Sequence, residues 1–298
     1  MKKHVLATAL SHFIWGVLPL FWNLLSGVSP YFLLCMRIIF SLLFALIITV
    51  AKKESVKLLS LVKEDVNEMR LLVFAGITVA INWGAYIMAT TTGRIIDSSI
   101  AYFLSPILTV LIGFIFYKER ISPSQKIALI IASAGIIVAV AKSGTFPILA
   151  IVIALSFSVY NAIKKNVSVK GELAVSIEAA VTVLPALVYS IFFISSPQSH
   201  YVTTYQWYLM PLCGVATLAP LLLFGFGVKG VPLYLSGVLM YINPTMQFIC
   251  GAVILKKEIS ETNIIILSSL ALAILFFVAG PMIESKIKAK KERSNASQ

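Results

Sequence analysis

Ten stretches of mainly apolar residues, each about as long as a membrane is thick, constrain this chain more than any other feature. A helix needs roughly 20 apolar residues to cross a hydrocarbon core of about 30 Å. Only 12% of the 298 residues are charged and 59% are hydrophobic, whereas a soluble domain is about one quarter charged. The pattern therefore predicts an all-α integral membrane protein with ten transmembrane helices. The predicted spans are 5–25, 30–51, 71–90, 96–117, 125–141, 147–163, 173–195, 207–227, 232–255 and 262–283.

Lysine and arginine are distributed unequally among the connections. With the N-terminus placed inside, 19 basic residues fall on inner segments and four on outer ones. Because short loops rich in Lys and Arg stay in the cytoplasm, the distribution predicts a multi-pass protein of the bacterial inner membrane with both termini cytoplasmic. It also accounts for the net charge of +12, so nucleic acid is not an expected partner. The longest connection, 52–70, is predicted to form a short amphipathic helix on the membrane surface.

The second half of the sequence repeats the first at a constant offset of 138 residues, with 101–122 corresponding to 239–260. The matched residues include Gly76 with Gly214, Pro106 with Pro244 and Lys118 with Lys256. The predicted halves are 1–143 and 144–284, followed by a basic tail at 285–298. Each half has five spans, an odd number, so the halves enter the membrane from opposite sides. This predicts a 5+5 inverted-topology repeat, the arrangement with which transporters expose a midplane site first to one side and then to the other.

Two matched prolines lie in the middle of their spans. Proline removes a backbone donor and clashes with the preceding turn, and in lipid the carbonyl that it frees needs another partner. Pro106 and Pro244 therefore predict kinked helices that line a central cavity. On the corresponding helix faces, Tyr102 and Gln247 are candidate cavity residues, and Tyr241 flanks the second face.

Three charged side chains lie within predicted spans. A charge at membrane depth is costly and normally faces the protein interior. Arg37 is a candidate for binding an anionic group or neutralising a carboxylate, and Glu178 is a candidate for carrying a coupling proton. Asp97, nearer the outer surface, is a second proton-coupling candidate. For each, a charge anchored at the membrane interface is the alternative interpretation.

Aromatic and amide side chains at mid-depth form a second group of candidates. Aromatic residues usually gather at membrane interfaces, so Trp15 in the first span and Tyr160, its counterpart in the sixth, point to stacking with an organic ligand. Asn82 and Trp83, deep in the third span, extend this set. Interhelical packing is the alternative for all four. His12 is interpreted as a hydrogen-bonded residue of the bundle interior.

Several short motifs occur in an order that resembles a known family. They are Phe13-Ile-Trp-Gly16 with Pro19, Asn82-Trp83, Tyr102-Phe103, Pro106, Lys118-Glu119-Arg120, Phe157-Ser-Val-Tyr160 with Lys164-Lys165, and Tyr241-Ile-Asn-Pro-Thr245. Over almost its whole length the chain resembles the RarD subgroup of the EamA family, in the drug/metabolite transporter superfamily. The resemblance implies a ten-helix permease of the inner membrane, usually described as an exporter. Asp97 departs from the pattern, because a glutamate is expected there.

These features favour a secondary active transporter of a small molecule, with membrane lipids and a coupling proton as its other partners. No nucleotide-binding GxxxxGK[ST] motif and no HExxH motif occur in the sequence, and the three cysteines form no CxxC pair. Neither a cofactor nor a metal is therefore expected, and an enzyme is disfavoured. A sensor or scaffold that does not transport is the alternative from another class. A flippase for a lipid-linked intermediate is an alternative within transport.

Overall fold

The computed structural model describes residues 1–92, 95–143 and 146–256, together with short pieces of 264–284. The helices are α1 (Lys2–Leu24), α2 (Pro30–Ala51), α3 (Ser55–Glu64), α4 (Val66–Thr91), α5 (Ile95–Phe116), α6 (Pro123–Ser143), α7 (Ile148–Asn166), α8 (Gly171–Ile194), α9 (Thr204–Lys229), α10 (Leu233–Met240) and α11 (Ile242–Ile249). The described residues contain no strand.

Eight helical segments in the described residues are long and apolar enough to cross a membrane, with α10, α11 and the turn after them forming one of these segments. Two shorter apolar helices, Ile100–Phe116 within α5 and Ala271–Pro281, stand at the fourth and tenth predicted spans. The chain is thus a multi-pass α-helical membrane protein. The exact count of ten stays a prediction, because both of these spans include residues outside the described part.

The helix ends follow from local sequence signals. Pro30 opens α2, where a missing N–H costs nothing. Thr203 and Gln206 form a capping box at the start of α9, in which each side chain accepts from the other's backbone N–H. The short amphipathic helix predicted in 52–70 is present as α3, with Val56 and Leu59 exposed to its surroundings.

The connections predicted to be cytoplasmic meet at one end of the bundle, here called the basic end. The carboxylate of Glu119, after α5, accepts the backbone N–H groups of Leu233 at 2.7 Å and Tyr234 at 2.8 Å, at the start of α10. Lys52, after α2, contacts Glu172 in α8 at 2.7 Å. At the other end, here called the far end, the Gln206 side chain donates to the carbonyl of Ser26 at 3.0 Å. The ends are grouped as an alternating helix bundle requires.

Two close helix contacts are related by the 138-residue offset. A methyl group at Gly76 would lie 2.7 Å from the carbonyl oxygen of Glu178. At Gly214 it would lie 2.4 Å from Cβ of Phe40. Adding 138 to Gly76 and subtracting it from Glu178 gives Gly214 and Phe40, so both contacts link matched positions in exchanged halves.

Backbone conformation also follows the offset. Lys118 and Lys256, at the ends of the matched fifth and ninth helical segments, both adopt a φ of 51°. A positive φ is uncommon for a residue with a side chain. Its occurrence at two positions 138 residues apart shows that the two helix ends turn in the same way.

Candidate functional site

A cavity of about 130 Å³ lies between helices of both halves. Its wall is formed by His12, Trp15, Leu18, Pro19, Trp22, Arg37, Val79, Asn82, Trp83, Tyr86, Tyr102, Ser105, Ile153, Phe157, Leu221, Met240, Asn243 and Gln247. The volume corresponds to on the order of ten water molecules. Along α1 the wall runs from His12, at the middle of the helix, to Trp22 near the far end. The cavity thus occupies the middle and far part of the bundle.

Arg37 provides the positive charge of this wall. Its Nε donates to the hydroxyl of Thr217 at 3.0 Å. Its guanidinium carbon lies 4.7 Å from the ring centre of Trp83 and 5.2 Å from that of Trp22, which are cation–π contacts. No carboxylate of the described residues forms an ion pair with it. The cation is therefore held by aromatic faces and a hydroxyl, and its charge is not neutralised by a carboxylate in the described part of the chain.

The ninth helical segment contributes one polar face to the cavity. Met240, Asn243 and Gln247 are spaced so that they share a side of the helix, and all three line the wall. The Gln247 side chain donates to the Asn243 side chain at 2.8 Å and is hydrogen bonded to Tyr102. This face carries donors and acceptors that can orient a ligand.

The structure brings together six of the eight predicted cavity side chains. Those on the wall are Trp15, Arg37, Asn82, Trp83, Tyr102 and Gln247. The amide of Asn82 donates to the carbonyl of Ile153 in α7 at 2.7 Å, so part of its hydrogen-bonding capacity joins two helices. Asp97 lies outside the residues whose side chains the structure describes.

Tyr160 and Tyr241 do not line the cavity. Tyr160 is fully buried and donates its hydroxyl to Glu178 at 2.9 Å. Tyr241 points to the opposite side of its helix, where its hydroxyl lies 3.5 Å from the carbonyl of Phe103. Neighbours in sequence on a helix are about 100° apart, so Asn243 faces the cavity while Tyr241 faces away from it.

The two matched prolines also lie off the cavity wall. Pro106 lies inside the unbroken helix α5, and a methyl group at Gly237 of α10 would lie 2.8 Å from its carbonyl. The helical segment that contains Pro244 is divided at Tyr241 into α10 and α11, as expected when proline clashes with the carbonyl four residues before it. The predicted kink is present there, but the residues that it presents to the cavity are its neighbours and not the proline.

An ion pair that the sequence interpretation missed lies at membrane depth below the cavity. Lys164 Nζ lies 2.5 Å from Glu178 Oε1, and the two side chains are only 1% and 3% exposed. The charge distribution had assigned Lys164 to a cytoplasmic segment, which is wrong, because the residue belongs to α7. Its spacing of four from Tyr160 placed both on one helix face, and that spacing was the available signal.

A layer of four aromatic side chains separates the cavity from this ion pair. The aromatic layer consists of Trp15, Phe157, Tyr160 and Phe224. The ring of Trp15 lies 5.8 Å from that of Phe157 and 5.6 Å from that of Phe224, which stacks on Tyr160 at 5.9 Å. Both Tyr160 and Phe224 have no exposed surface. The cavity is therefore closed toward the basic end.

His12 departs from its sequence interpretation. Its side chain is 1% exposed and lines the cavity, yet neither ring nitrogen has a hydrogen-bond partner. The expectation that it is a hydrogen-bonded bundle residue was wrong. Its ring packs against Trp15 at 5.2 Å and Phe224 at 5.7 Å, and neither contact satisfies a ring nitrogen. Unpartnered buried polar atoms are rare and call for a specific explanation.

Comparison with known proteins identifies the family. The model of the EamA-like transporter family matches residues 2–141. An uncharacterized transporter of Bacillus subtilis (strain 168), YojE, is 33% identical over 280 residues, which cover 93% of each chain. The chain belongs to the EamA transporter family. The predicted all-helical membrane fold and transporter class are thereby confirmed at the level of the family.

The RarD subgroup is likewise confirmed. The protein RarD of Salmonella typhimurium (strain LT2) is 27% identical, covering 93% of this chain and 95% of its own. RarD of Escherichia coli (strain K12) is 25% identical over 93% of this chain and 94% of its own. A solved crystal structure with 16% sequence identity superposes with a TM-score of 0.70 over 94% of this chain and 97% of its own, which supports the fold alone.

Proposed function

We propose that this EamA-family protein is a secondary active transporter that moves a small molecule by alternating access around the central cavity. One observation carries the proposal. The cavity occupies the middle and far part of the bundle, and the aromatic layer closes it toward the basic end. A site that is closed on one side and lies between helices of both halves is what one state of such a transporter requires.

The matched contacts support two inverted halves, 1–143 and 144–284. If the halves are equivalent, each can adopt the conformation of the other, and the closed end then changes place. The paired approaches of Gly76 to Glu178 and of Gly214 to Phe40 provide two similar helix crossings about which such an exchange can occur.

The orientation of the protein follows from its charge. We place the basic end in the cytoplasm of a bacterial cell and the far end outside, with both termini inside and the basic tail 285–298 cytoplasmic. The closed end of the cavity is then the cytoplasmic end, and the conformation is the outward-facing one. Membrane lipids surround the apolar outer surface of the helices.

Glu178 is proposed as the coupling proton site. One of its carboxylate oxygens binds Lys164 and the other accepts from Tyr160. Protonation of this carboxylate would remove the negative charge that holds Lys164, and so weaken the closed end. Asp97 remains a second proposed proton site.

Cysteine labelling from both sides tests alternating access without a known substrate. Ser105 lies on the cavity wall, and its hydroxyl bonds only within its own helix at 2.8 Å. In a background with the three native cysteines replaced by alanine, we expect a membrane-impermeant maleimide to label Ser105→Cys in right-side-out and in inside-out vesicles, because the cavity opens to each side in turn.

Two exposed positions serve as sidedness controls. Ser26→Cys at the far end is expected to react only in right-side-out vesicles, and Lys57→Cys in α3 only in inside-out vesicles. Labelling of Ser105→Cys from a single side would favour a sensor or scaffold and contradict the proposal. Exchange of the two control patterns would reverse the proposed orientation.

A further inference from the structure

The charge of Arg37 points to the kind of molecule that the cavity binds. Arg37 is the one charged side chain on the described wall, which contains no carboxylate. A cation at membrane depth is costly unless an anion or polar groups compensate it. Its Nε is hydrogen bonded to Thr217, whereas the two terminal amino groups have no protein partner among the described hydrogen bonds. These terminal groups are the paired donors that match a carboxylate.

Glu178, the carboxylate whose surroundings share residues with the cavity wall, is not available to neutralise Arg37. Val79, Trp83 and Leu221 line both the cavity and the surroundings of Glu178. Both oxygens of Glu178 are occupied, however, by Lys164 at 2.5 Å and Tyr160 at 2.9 Å. The nearby anion is therefore already paired, and Arg37 keeps its positive charge for another partner.

The surroundings of Arg37 favour a flat ring attached to that partner. Trp22 and Trp83 flank the guanidinium through their faces, and Trp15 lies deeper in the same wall. Tyr86 and Tyr102 pack edge to face with ring centres 5.8 Å apart. Aromatic rings add favourable stacking to the area that they bury. A wall with this many rings binds an aromatic ligand better than an aliphatic one of equal charge.

His12 supplies an independent indication of a ligand. It is buried in the cavity wall with both ring nitrogens unpartnered, and it lies near the middle of α1, deeper than Trp22. A bound molecule that carries a hydrogen-bonding group at its inner end would satisfy one of these nitrogens. The cavity thus presents a cation toward the far end, rings between, and a neutral polar group at its base.

We infer that the cavity binds a small aromatic carboxylate, whose carboxylate pairs with Arg37 and whose ring lies among the tryptophans. The inference rests on the transport function proposed above and specifies its substrate class. About ten non-hydrogen atoms, the size of a one-ring acid, suit a cavity that holds on the order of ten waters. An organic cation of the same shape is repelled by Arg37 and finds no carboxylate on the described wall.

A matched series of probes tests the charge and the ring separately. The four compounds are phenylacetate, its neutral amide phenylacetamide, the cation phenethylamine, and acetate, which lacks the ring. Binding to the detergent-purified full chain is measured by thermal shift and by titration calorimetry. Phenylacetate is expected to raise the melting temperature, since a ligand that binds only the folded state stabilises it. The other three are expected to cause at most a small shift at the same concentration.

Variants locate the effect. Arg37→Gln is expected to weaken phenylacetate binding about tenfold or more, because a hydrogen-bonded charge pair is lost. Arg37→Lys keeps the charge without the paired donors and is expected to bind with intermediate affinity. Arg70→Gln removes an exposed arginine at the basic end and is the matched control, with unchanged binding. The probe series on the unaltered protein decides the question even where a variant fails to fold.

Equal stabilisation by phenylacetamide or phenethylamine, or no binding by any probe, would overturn the inference. It would leave the transport proposal standing if Ser105→Cys is labelled from both sides. Conversely, phenylacetate binding that depends on Arg37, together with labelling of Ser105→Cys from one side only, would support the ligand class and contradict transport.

Discussion

Glu178→Gln is expected to lower the free energy of unfolding by about 3–5 kcal/mol, the usual cost of removing one partner from a buried ion pair. The substitution leaves Lys164, 1% exposed, without its counter-charge below the cavity. The glutamine keeps the volume and an oxygen that accepts from Tyr160, so the loss is assigned to the charge. Unfolding of the purified protein in mixed micelles, followed by tryptophan fluorescence during titration with SDS, measures the change.

The double variant Lys164→Met/Glu178→Gln is the internal control. It removes both charges, and such replacements are often neutral or stabilising, so most of the lost stability is expected to return. Lys170→Gln is the surface control, because Lys170 is 56% exposed in its pair with Glu54 and such pairs contribute little. A double variant as unstable as Glu178→Gln would show that packing, and not the unpaired charge, causes the loss.

Gly214→Val and Gly76→Val are expected to abolish the native packing of the bundle. A Cβ at Gly214 would lie 2.4 Å from Cβ and 2.5 Å from the carbonyl carbon of Phe40, which is closer than atoms approach. At Gly76 the obstacle is the Glu178 carbonyl oxygen at 2.7 Å. Since backbone atoms of a packed helix cannot move aside individually, whole helices must separate. Even alanine at either position is expected to cost about 1–3 kcal/mol.

Gly84 provides the matched control, because it lies on α4 with Gly76 but has no atom within 4 Å of the position that an added methyl group would occupy. Gly84→Ala is expected to leave stability unchanged or to raise it by up to about 1 kcal/mol, since alanine favours helix over glycine. The same SDS titration compares the three alanine variants. If Gly76→Ala and Gly84→Ala proved equally stable, the close contact of α4 with α8 would be excluded.

The fold was more predictable from sequence than the site. Apolar run length identified the membrane spans, because bilayer thickness acts on each helix separately. The offset of 138 residues predicted which positions correspond, and the contacts of Gly76 and Gly214 respect it. Six predicted cavity residues reach the wall because mid-span polar and aromatic residues avoid lipid. Tyr160 and Tyr241 satisfy the same criterion through contacts between helices, which a pattern along one helix cannot distinguish from contact with a cavity.

Sequence alone determined that this chain crosses the membrane repeatedly, that Arg37 and Glu178 are charges at membrane depth, and that its two parts are related. These properties depend on local composition and spacing. Only the tertiary structure decided how the charges are compensated. Lys164, counted as a loop residue, neutralises Glu178 from another helix, whereas Arg37 receives only Trp22, Trp83 and Thr217. The distinction depends on the rotation of each helix about its axis and on which helices pack together, and both are set by interhelical contacts that no single segment encodes.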